Sequence, residues 1–186
     1  MSSGWFDTAG RENFERFLLP IAGQWMECLQ VGVYEGDASV WMLENLPRAY
    51  LTEVDPWAAT ADYAVDMSVV RTTYHERIEP YLDRVSVFSQ TSSAYFRGWD
   101  QHTTFDFVYI DGDHRAPAVL ADAVAGFRML NVTGLMAFDD YRWCCGGSPL
   151  REPKAAVDAF LSVFADHITL LEMGDQVWIE KVRAWR

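Results

Sequence analysis

Cysteines, basic residues and long apolar runs are all scarce in this sequence, and each scarcity excludes a class of protein. The three cysteines, Cys28, Cys144 and Cys145, form neither a disulfide framework nor a CxxC zinc motif, so we expect a reducing, cytoplasmic setting. No apolar run is long enough to span a membrane. The N-terminus lacks the basic start and apolar centre of a secretory signal, so we expect neither export nor a membrane partner.

Basic residues are outnumbered, because 15 Lys and Arg stand against 27 Asp and Glu and the formal charge is −12. Without a Lys/Arg cluster to offset phosphate repulsion, the chain is not expected to bind nucleic acid. Half of the 186 residues are hydrophobic, which is enough for a sizeable core. We therefore predict one globular domain over residues 1–186, with a helical extension at residues 1–22.

A strand–helix–strand pattern occupies residues 105–143, and the functional predictions depend on it. The β-branched and aromatic run at residues 105–110 suits a buried strand, and apolar residues recur at helical spacing from residue 119 to 130. Residues 131–134 predict a break, and the apolar run at residues 135–138 predicts a second strand. This βαβ order makes the two strands parallel, so both end at the same edge of the sheet.

Three aspartates follow these two strands: Asp111 follows the first, and Asp139 and Asp140 follow the second. Open α/β sheets bind their ligands at this edge. Neighbouring carboxylates repel unless a cation or shared protons neutralise them, and oxygen ligands suit Mg²⁺ or Ca²⁺. His114, three residues after Asp111, is a candidate base for a hydroxyl bound to that ion. Each aspartate taken alone is better explained as a helix cap or loop charge, but the set at one edge favours a site.

A glycine-rich turn at residues 32–39 lies between a predicted strand at residues 25–33 and a predicted helix at residues 40–46. This arrangement lets a nucleotide-like ligand approach the backbone. A dinucleotide fingerprint would need GxGxxG, and Tyr34 stands where that motif has its second glycine. The turn therefore suits a ligand without phosphates, whose amino-acid and ribose parts would bind backbone amides and Ser39. Taken alone, the glycines could equally close an ordinary turn.

Two later loops carry further candidate contacts. The second predicted strand, residues 49–54, ends beside Glu53 and Asp55, and an acid at this place binds a ribose diol in doubly wound folds. The sequence leaves both acids open, and an aspartate in a turn before proline explains Asp55 equally well. After the third predicted strand, residues 84–88, the candidate adenine contacts are Gln90, Thr91 and Ser92. Helix capping is the simpler explanation of each one singly.

The remaining chain predicts further helices and a C-terminal hairpin. The helices are predicted at residues 9–19, 69–83 and 153–165. The glycine- and proline-rich residues 144–153 predict a mobile loop over the site. A short link between the apolar runs at residues 168–172 and 176–182 predicts that these two strands are antiparallel.

Five segments resemble class I S-adenosylmethionine-dependent methyltransferases: VGVYEGDAS, TEVDPW, YIDGDH, MAFDDY and GDQVWIEK. The pattern is most similar to the small group related to macrocin and macrolide-sugar O-methyltransferases, and more distantly to catechol O-methyltransferase. The resemblance covers residues 25–182. It implies an α/β, Rossmann-like fold with a mostly parallel seven-stranded sheet, helices on both faces and an antiparallel C-terminal hairpin strand. It also implies a divalent-metal-dependent O-methyltransferase that acts on a hydroxyl of a sugar or other small metabolite.

The resemblance and the turn together predict residue roles. Cofactor contacts are expected from Gly32, Val33, Tyr34, Gly36, Ser39, Glu53, Asp55, Gln90, Thr91, Ser92 and Asp111. The resemblance makes Asp111, Asp139 and Asp140 the ligands of Mg²⁺ or another divalent cation, and His114 the general base acting beside Asp111. Gln30 departs from the family pattern, which commonly has an acid there. The chain also lacks a large cap, so either the acceptor is small and exposed or a second copy in a homodimer completes the pocket.

Three other interpretations stay open. In the first, a methyltransferase of the same fold works without metal, and Asp139 and Asp140 only hydrogen-bond the acceptor. In the second, the chain is a non-catalytic cofactor-binding subunit. The third, a nicotinamide-dependent oxidoreductase, is disfavoured by the missing GxGxxG motif.

Overall fold

Seven strands form one sheet in the computed structural model, which describes residues 4, 6, 10–58, 65–144 and 147–185. The strands are β1 (Met26–Val31), β2 (Ala49–Val54), β3 (Val85–Phe88), β4 (Phe105–Ile110), β5 (Leu130–Phe138), β6 (Ile168–Met173) and β7 (Val177–Lys181). Their order across the sheet is β3-β2-β1-β4-β5-β7-β6. Strands β1 to β5 pair in parallel, whereas β7 runs antiparallel to both β5 and β6. The predicted Rossmann-like fold with an antiparallel C-terminal hairpin strand is therefore confirmed.

Helices cover both faces of this sheet. They are α1 (Arg11–Leu18), α2 (Asp37–Asn45), α3 (Met67–Ile78), α4 (Ser92–Arg97), α5 (Ala116–Met129) and α6 (Pro153–Val163). Buried residues of α1, α2 and α3 pack on one face, and those of α5 and α6 pack on the other. Within the described part of the chain, no helix has both the length and the apolar character needed to cross a bilayer.

Strand β4 shows why the sheet is buried on both faces. Phe107 and Tyr109 point into the core under α1, whereas Val108 and Ile110 point into the core under α5. All four residues are nearly inaccessible to solvent. A strand that is apolar on both sides is expected in the middle of a parallel sheet covered by two helical layers.

The helix ends before residues 131–134 as predicted, but these residues lie in an irregular part of β5 and not in a loop. α5 ends at Met129 and β5 begins at Leu130, without an intervening loop. Leu130 pairs with Phe105, and the register shifts before the regular pairing of Leu135 with Phe107. The polar and glycine residues of this segment are accommodated in an irregular strand, in which Thr133 has a φ of 70°. The four residues thus form an irregularity between two parts of β5 that pair with β4, which is how a strand can contain a turn-like segment.

Other boundaries agree closely with the prediction, and a few residues cannot be compared. β2 and β4 have the predicted bounds, and the helix after the glycine-rich turn begins earlier than predicted, at Asp37. Of the predicted loop at residues 144–153, Cys145 and Gly146 lie outside the described residues, and so do residues 1–3, 5 and 7–9 of the predicted N-terminal extension. The mobility of that loop stays a prediction.

Candidate active site at the carboxyl edge of the sheet

The loops that carry the predicted site residues leave the sheet side by side. The backbone ladder continues one step past the strands, because Asp111 N donates to Val31 O (2.8 Å) and Asp139 N donates to Ile110 O (3.0 Å). Gly32 N likewise donates to a carbonyl at the end of β2, at 2.9 Å. The glycine-rich turn and both acidic segments therefore share one edge, as parallel strands require.

Asp111, His114 and Asp140 form a cluster at this edge. Each offers one ligand atom, and these atoms all lie within 4.8 Å of one another. His114 Nε2 is 2.9 Å from Asp140 Oδ2. Two carboxylates and an imidazole at this spacing are a donor set that fits a divalent cation with positions left for other ligands.

Asp139 lies beside this cluster and is held by other groups. The Tyr109 hydroxyl donates to Asp139 Oδ2, and Asp140 N donates to Asp139 Oδ1 at 2.8 Å. Gln176 Nε2 donates in turn to the Tyr109 hydroxyl at 3.3 Å. The sequence predicted Asp139 as a ligand and His114 as a base outside the ligand set. In the structure, His114 lies within the cluster, and both Asp139 oxygens accept hydrogen bonds.

Neighbouring carboxylates raise the pKa values of Asp111 and Asp139. Burial raises the pKa of Asp111 well above its usual range, and the charges of Asp139 and Asp140 raise it further. Burial and the charge of Asp140 also raise the pKa of Asp139, against the lowering effect of the Tyr109 hydroxyl. Such a group favours either extra protons or a bound cation.

His114 contacts Asp140 on one side and an aromatic ring on another. Burial alone would lower the pKa of His114, but its hydrogen bond to Asp140 and the charges of Asp140, Asp139 and Asp113 raise it overall. The His114 and Trp143 ring centroids are 4.7 Å apart. Asp140 itself has a φ of 57°, in the left-handed region that few non-glycine residues adopt. The loop after β5 is thus held in an unusual conformation that directs Asp140 to His114.

The glycine-rich turn also has left-handed residues, with φ values of 84° at Gly32, 53° at Tyr34 and 80° at Gly36. An added Cβ at Gly32 would lie 2.0 Å from Asp111 O. Gly32 is therefore required for the close contact between the turn and the end of β4, whatever the turn binds.

Asp55 holds this turn from the neighbouring loop. Its Oδ2 accepts from Val33 N (2.8 Å) and Tyr34 N (3.0 Å), and its Oδ1 accepts from Trp57 N (2.6 Å). The Trp57 indole donates to Tyr34 O at 3.0 Å. Asp55 therefore already occupies the Val33 and Tyr34 amides that the sequence assigned to the cofactor.

Glu53 is fully buried below the same turn. Its Oε2 accepts from the Tyr74 hydroxyl, whereas Oε1 has no hydrogen-bond partner among the described residues. The nearby Ser39 hydroxyl donates to Gln30 Oε1 at 3.2 Å. Burial raises the pKa of Glu53. Within the same described part of the chain, Glu35 Oε2 is a second buried oxygen without a partner. Buried acceptors of this kind are rare and suit a ligand that brings hydroxyl or ammonium donors.

The three candidate adenine contacts have different surroundings. Thr91 caps α4, since its hydroxyl accepts from the Ala94 amide at 3.2 Å. The Ser92 hydroxyl lowers the pKa of the buried Asp122 carboxyl, against the raising effect of burial. Gln90 lines a cavity of about 230 Å³. Phe88, Tyr95, Gly98, Trp99, Asp100 and Thr103 line the same cavity. Of the three, only Gln90 lines this cavity.

The sequence did not single out Tyr109, Gln176 or Asp122. Tyr109 could have been found, because it lies two residues before Asp111 and therefore on the same face of β4. Gln176 lies in a hairpin link distant in sequence, and Asp122 lies in the middle of α5. No local pattern marked either of them.

Comparison with known proteins finds a matching family model and several similar folds. A family model described as a methyltransferase domain matches residues 29–141, which include the glycine-rich turn and both acidic segments. The sequence has no match among curated proteins.

Several solved structures share the fold. The O-methyltransferase NovP superposes with a TM-score of 0.68 at 19% identity, covering 92% of this chain and 79% of NovP. An O-methyltransferase from Bacillus cereus in complex with SAH gives 0.67 at 15% identity, covering 92% of this chain and 80% of the other. MycE from the mycinamycin biosynthetic pathway, in complex with Mg, SAH and mycinamycin VI, gives 0.66 at 18% identity. That superposition covers 96% of this chain but only 50% of MycE.

Proposed function

Since this chain belongs to the methyltransferase-domain family, whose model spans residues 29–141, we propose that it is an S-adenosylmethionine-dependent O-methyltransferase acting on a small-molecule hydroxyl. The observation that carries the proposal is the cluster of Asp111, His114 and Asp140 beside a glycine-rich turn at one edge of the sheet. NovP and the Bacillus cereus protein, which share the fold, are O-methyltransferases, and MycE is a methyltransferase whose complex holds Mg and SAH.

The cofactor end of the site fits S-adenosylmethionine through its unused acceptors. The unpartnered oxygens Glu35 Oε2 and Glu53 Oε1 would accept hydrogen bonds from the amino and ribose hydroxyl groups. We assign the ribose to Glu53 because Asp55 already accepts three backbone amides and so acts to shape the turn. Gln90 borders the cavity proposed for adenine. The cofactor supplies an activated methyl group on a sulfonium.

The acceptor end is proposed to hold a divalent cation. Asp111 and Asp140, with Asp139 beside them, would hold Mg²⁺, which supplies Lewis acidity and orients the hydroxyl. Asp140 Oδ2 lies 2.9 Å from His114 Nε2, and the His114 imidazole is the group proposed to take the hydroxyl proton. The Asp140 carboxylate would then stabilise the imidazolium. The remaining task of the chain is to align the acceptor oxygen with the methyl group and exclude water.

The acceptor class follows from charge and exposure. A net charge of −12 disfavours polyanionic acceptors such as RNA, so a sugar or other small metabolite is proposed. The aromatic ring of Trp143, next to His114, offers a surface on which a sugar could stack. We also propose a cytoplasmic location and a homodimer, the latter testable by sedimentation equilibrium.

A thermal-shift and turnover experiment tests the activity. S-adenosylmethionine and SAH should each raise the melting temperature, and NAD should not. With a panel of hydroxylated sugars and phenols, transfer of labelled methyl should require Mg²⁺ and stop with chelator. Transfer that persists at full rate in chelator would support the metal-independent alternative. Binding of SAH without transfer to any acceptor, with His114 intact, would support a non-catalytic subunit.

A further inference from the structure

A buried chain of hydrogen bonds leads from the last strand to Asp139. The Trp178 indole donates to Gln176 Oε1 at 2.9 Å, and Gln176 Nε2 donates to the Tyr109 hydroxyl at 3.3 Å. The Tyr109 hydroxyl donates to Asp139 Oδ2. Tyr109, Gln176 and Trp178 are at most 1% exposed to solvent. Water therefore does not compete with these bonds.

The chemistry of the side chains determines which atom donates and which accepts in each of these hydrogen bonds. An indole N–H can only donate, so the oxygen of the Gln176 amide must face Trp178 and its nitrogen must face Tyr109. The Tyr109 oxygen therefore accepts from Gln176, and its hydrogen remains available for Asp139. Every donor points towards the carboxylate, which is the arrangement that orients and stabilises an anionic side chain.

Helix α1 contacts the same series of hydrogen bonds. Asn13 Nδ2 donates to Gln176 Oε1 at 3.3 Å, and the Phe14 ring lies 5.1 Å from the Tyr109 ring in an edge contact. An added Cβ at Gly10, just before α1, would lie 2.9 Å from Gln176 Nε2. Helix α1 thus packs directly against the Gln176 side-chain amide, in the middle of this series of hydrogen bonds.

We propose that Tyr109 and Gln176 are positioning residues for the acidic edge, and that α1 supports cation binding through them. Asp139 Oδ1 accepts the Asp140 amide at 2.8 Å, so the orientation of Asp139 also sets the left-handed backbone of Asp140. Hydrogen-bond partners behind metal-binding carboxylates typically change metal affinity about 10- to 100-fold when removed. The inference rests on the proposed function only in assuming that the edge binds a divalent cation.

The test is titration of the full-length protein with Mn²⁺ alone. Calorimetry measures the affinity, and electron paramagnetic resonance records the spectrum of the bound ion. Tyr109→Phe keeps the aromatic ring and removes only the hydroxyl. It should weaken Mn²⁺ binding by about tenfold or more and alter the spectrum of the bound ion. The matched control is Tyr50→Phe, which removes a hydroxyl bonded to Ser86 Oγ at 2.9 Å on the other half of the sheet. The control should leave both readouts unchanged.

Two further variants keep the test decisive if Tyr109→Phe folds poorly. Gln176→Met removes the amide at similar volume, and Gly10→Ala displaces it from the α1 side, so both should weaken Mn²⁺ binding in the same direction. In an Asp139→Ala background, Tyr109→Phe should have no further effect, because the side chain that the hydroxyl positions is absent.

Each outcome of the titration has a distinct meaning. Mn²⁺ affinity within twofold of wild type in both Tyr109→Phe and Gln176→Met would overturn the positioning role while leaving the cation site intact. An equal loss in Tyr50→Phe would do the same, since it would reveal general destabilisation. A wild-type chain that binds no Mn²⁺ would overturn this inference together with the cation part of the proposed function.

Discussion

The contact between Gly32 and the end of β4 makes a sharp prediction for the variant Gly32→Ala. An added Cβ would lie 2.0 Å from Asp111 O and 2.4 Å from Asp111 C. Both are backbone atoms, which cannot rotate away as a flexible side chain would. Relief requires the turn to separate from β4, and that movement would strain the bond from Asp111 N to Val31 O, now 2.8 Å long.

The expected loss of stability has two parts. An alanine at the left-handed φ of 84° costs about 1–2 kcal/mol relative to an ordinary conformation. Forcing the extra carbon into an occupied space adds about 1–3 kcal/mol. The free energy of unfolding should therefore fall by roughly 2–5 kcal/mol. Affinity for SAH should fall as well, because the same movement distorts the turn.

Gly112→Ala is the matched control, since Gly112 lies across the same contact. The nearest atom to its added Cβ would be Val31 Cγ1 at 3.4 Å, an ordinary packing distance. Its stability should stay within about 1 kcal/mol of wild type. Urea denaturation of both variants measures the difference in the free energy of unfolding. Calorimetry measures the affinity for SAH, which reports on the turn. Equal stability of Gly32→Ala and Gly112→Ala would refute the argument from backbone contact.

Three further predictions concern other parts of the chain. His114→Ala should lower kcat by about 10²- to 10⁴-fold in a methyl-transfer assay, with SAH affinity unchanged by calorimetry. Burial raises the pKa of Asp122 to about 6, so folding favours its protonated form and stability should fall as pH rises through that value. Asp122→Asn should remove up to about 3 kcal/mol of that fall, measured by urea denaturation between about pH 4 and about pH 8. Lys181 Nζ donates to Phe127 O (2.8 Å) and Leu130 O (2.6 Å), so Lys181→Met should cost about 1–3 kcal/mol of unfolding free energy.

Specific results would contradict each of these expectations. Full turnover by His114→Ala would remove the imidazole from the proton transfer. Identical pH–stability curves for wild type and Asp122→Asn would show that the Asp122 carboxyl titrates alike in the folded and unfolded chain. An unaltered denaturation midpoint for Lys181→Met would mean that water satisfies the two carbonyls after the change.

The parallel topology is the part of the fold that the sequence predicts best. Short apolar runs that end at acidic or glycine residues predicted β2 and β4 with their observed bounds. The order of strand, helix and strand then predicted that Asp111 and Asp139 would leave the same edge. Residues 131–134 were expected to form a loop, but they form an irregular part of β5 between Leu130 and Leu135, which both pair with β4. Local composition does not reveal that pairing.

Side-chain directions at the site could not be predicted in the same way. Glu53 and Asp55 were equivalent candidates in the sequence, and the structure distinguishes them because Asp55 accepts two amides of the turn. Asp139 was expected to face the ion, but its partners include Tyr109, which is bonded to Gln176 from a distant hairpin. Such choices depend on long-range contacts, so the sequence can predict which residues gather at an edge but not what each one touches.

The glycine-rich turn and the acidic edge are held in place by different residues, which limits how a change in one can affect the other. The glycine-rich turn is held by Asp55 and by Arg77 of α3, whose Nη1 donates to Glu35 O at 2.9 Å. The acidic edge is held from the other side by Tyr109 and the hairpin. The glycine-rich turn and the acidic edge are in contact where Gly32 lies against the backbone of Asp111. This contact is at the centre of the sheet, where the strand order reverses. A change at either end can reach the other through backbone at this contact, without a shared side chain, so we expect Gly32 to affect the geometry between the proposed methyl-donor and acceptor sites as well as folding.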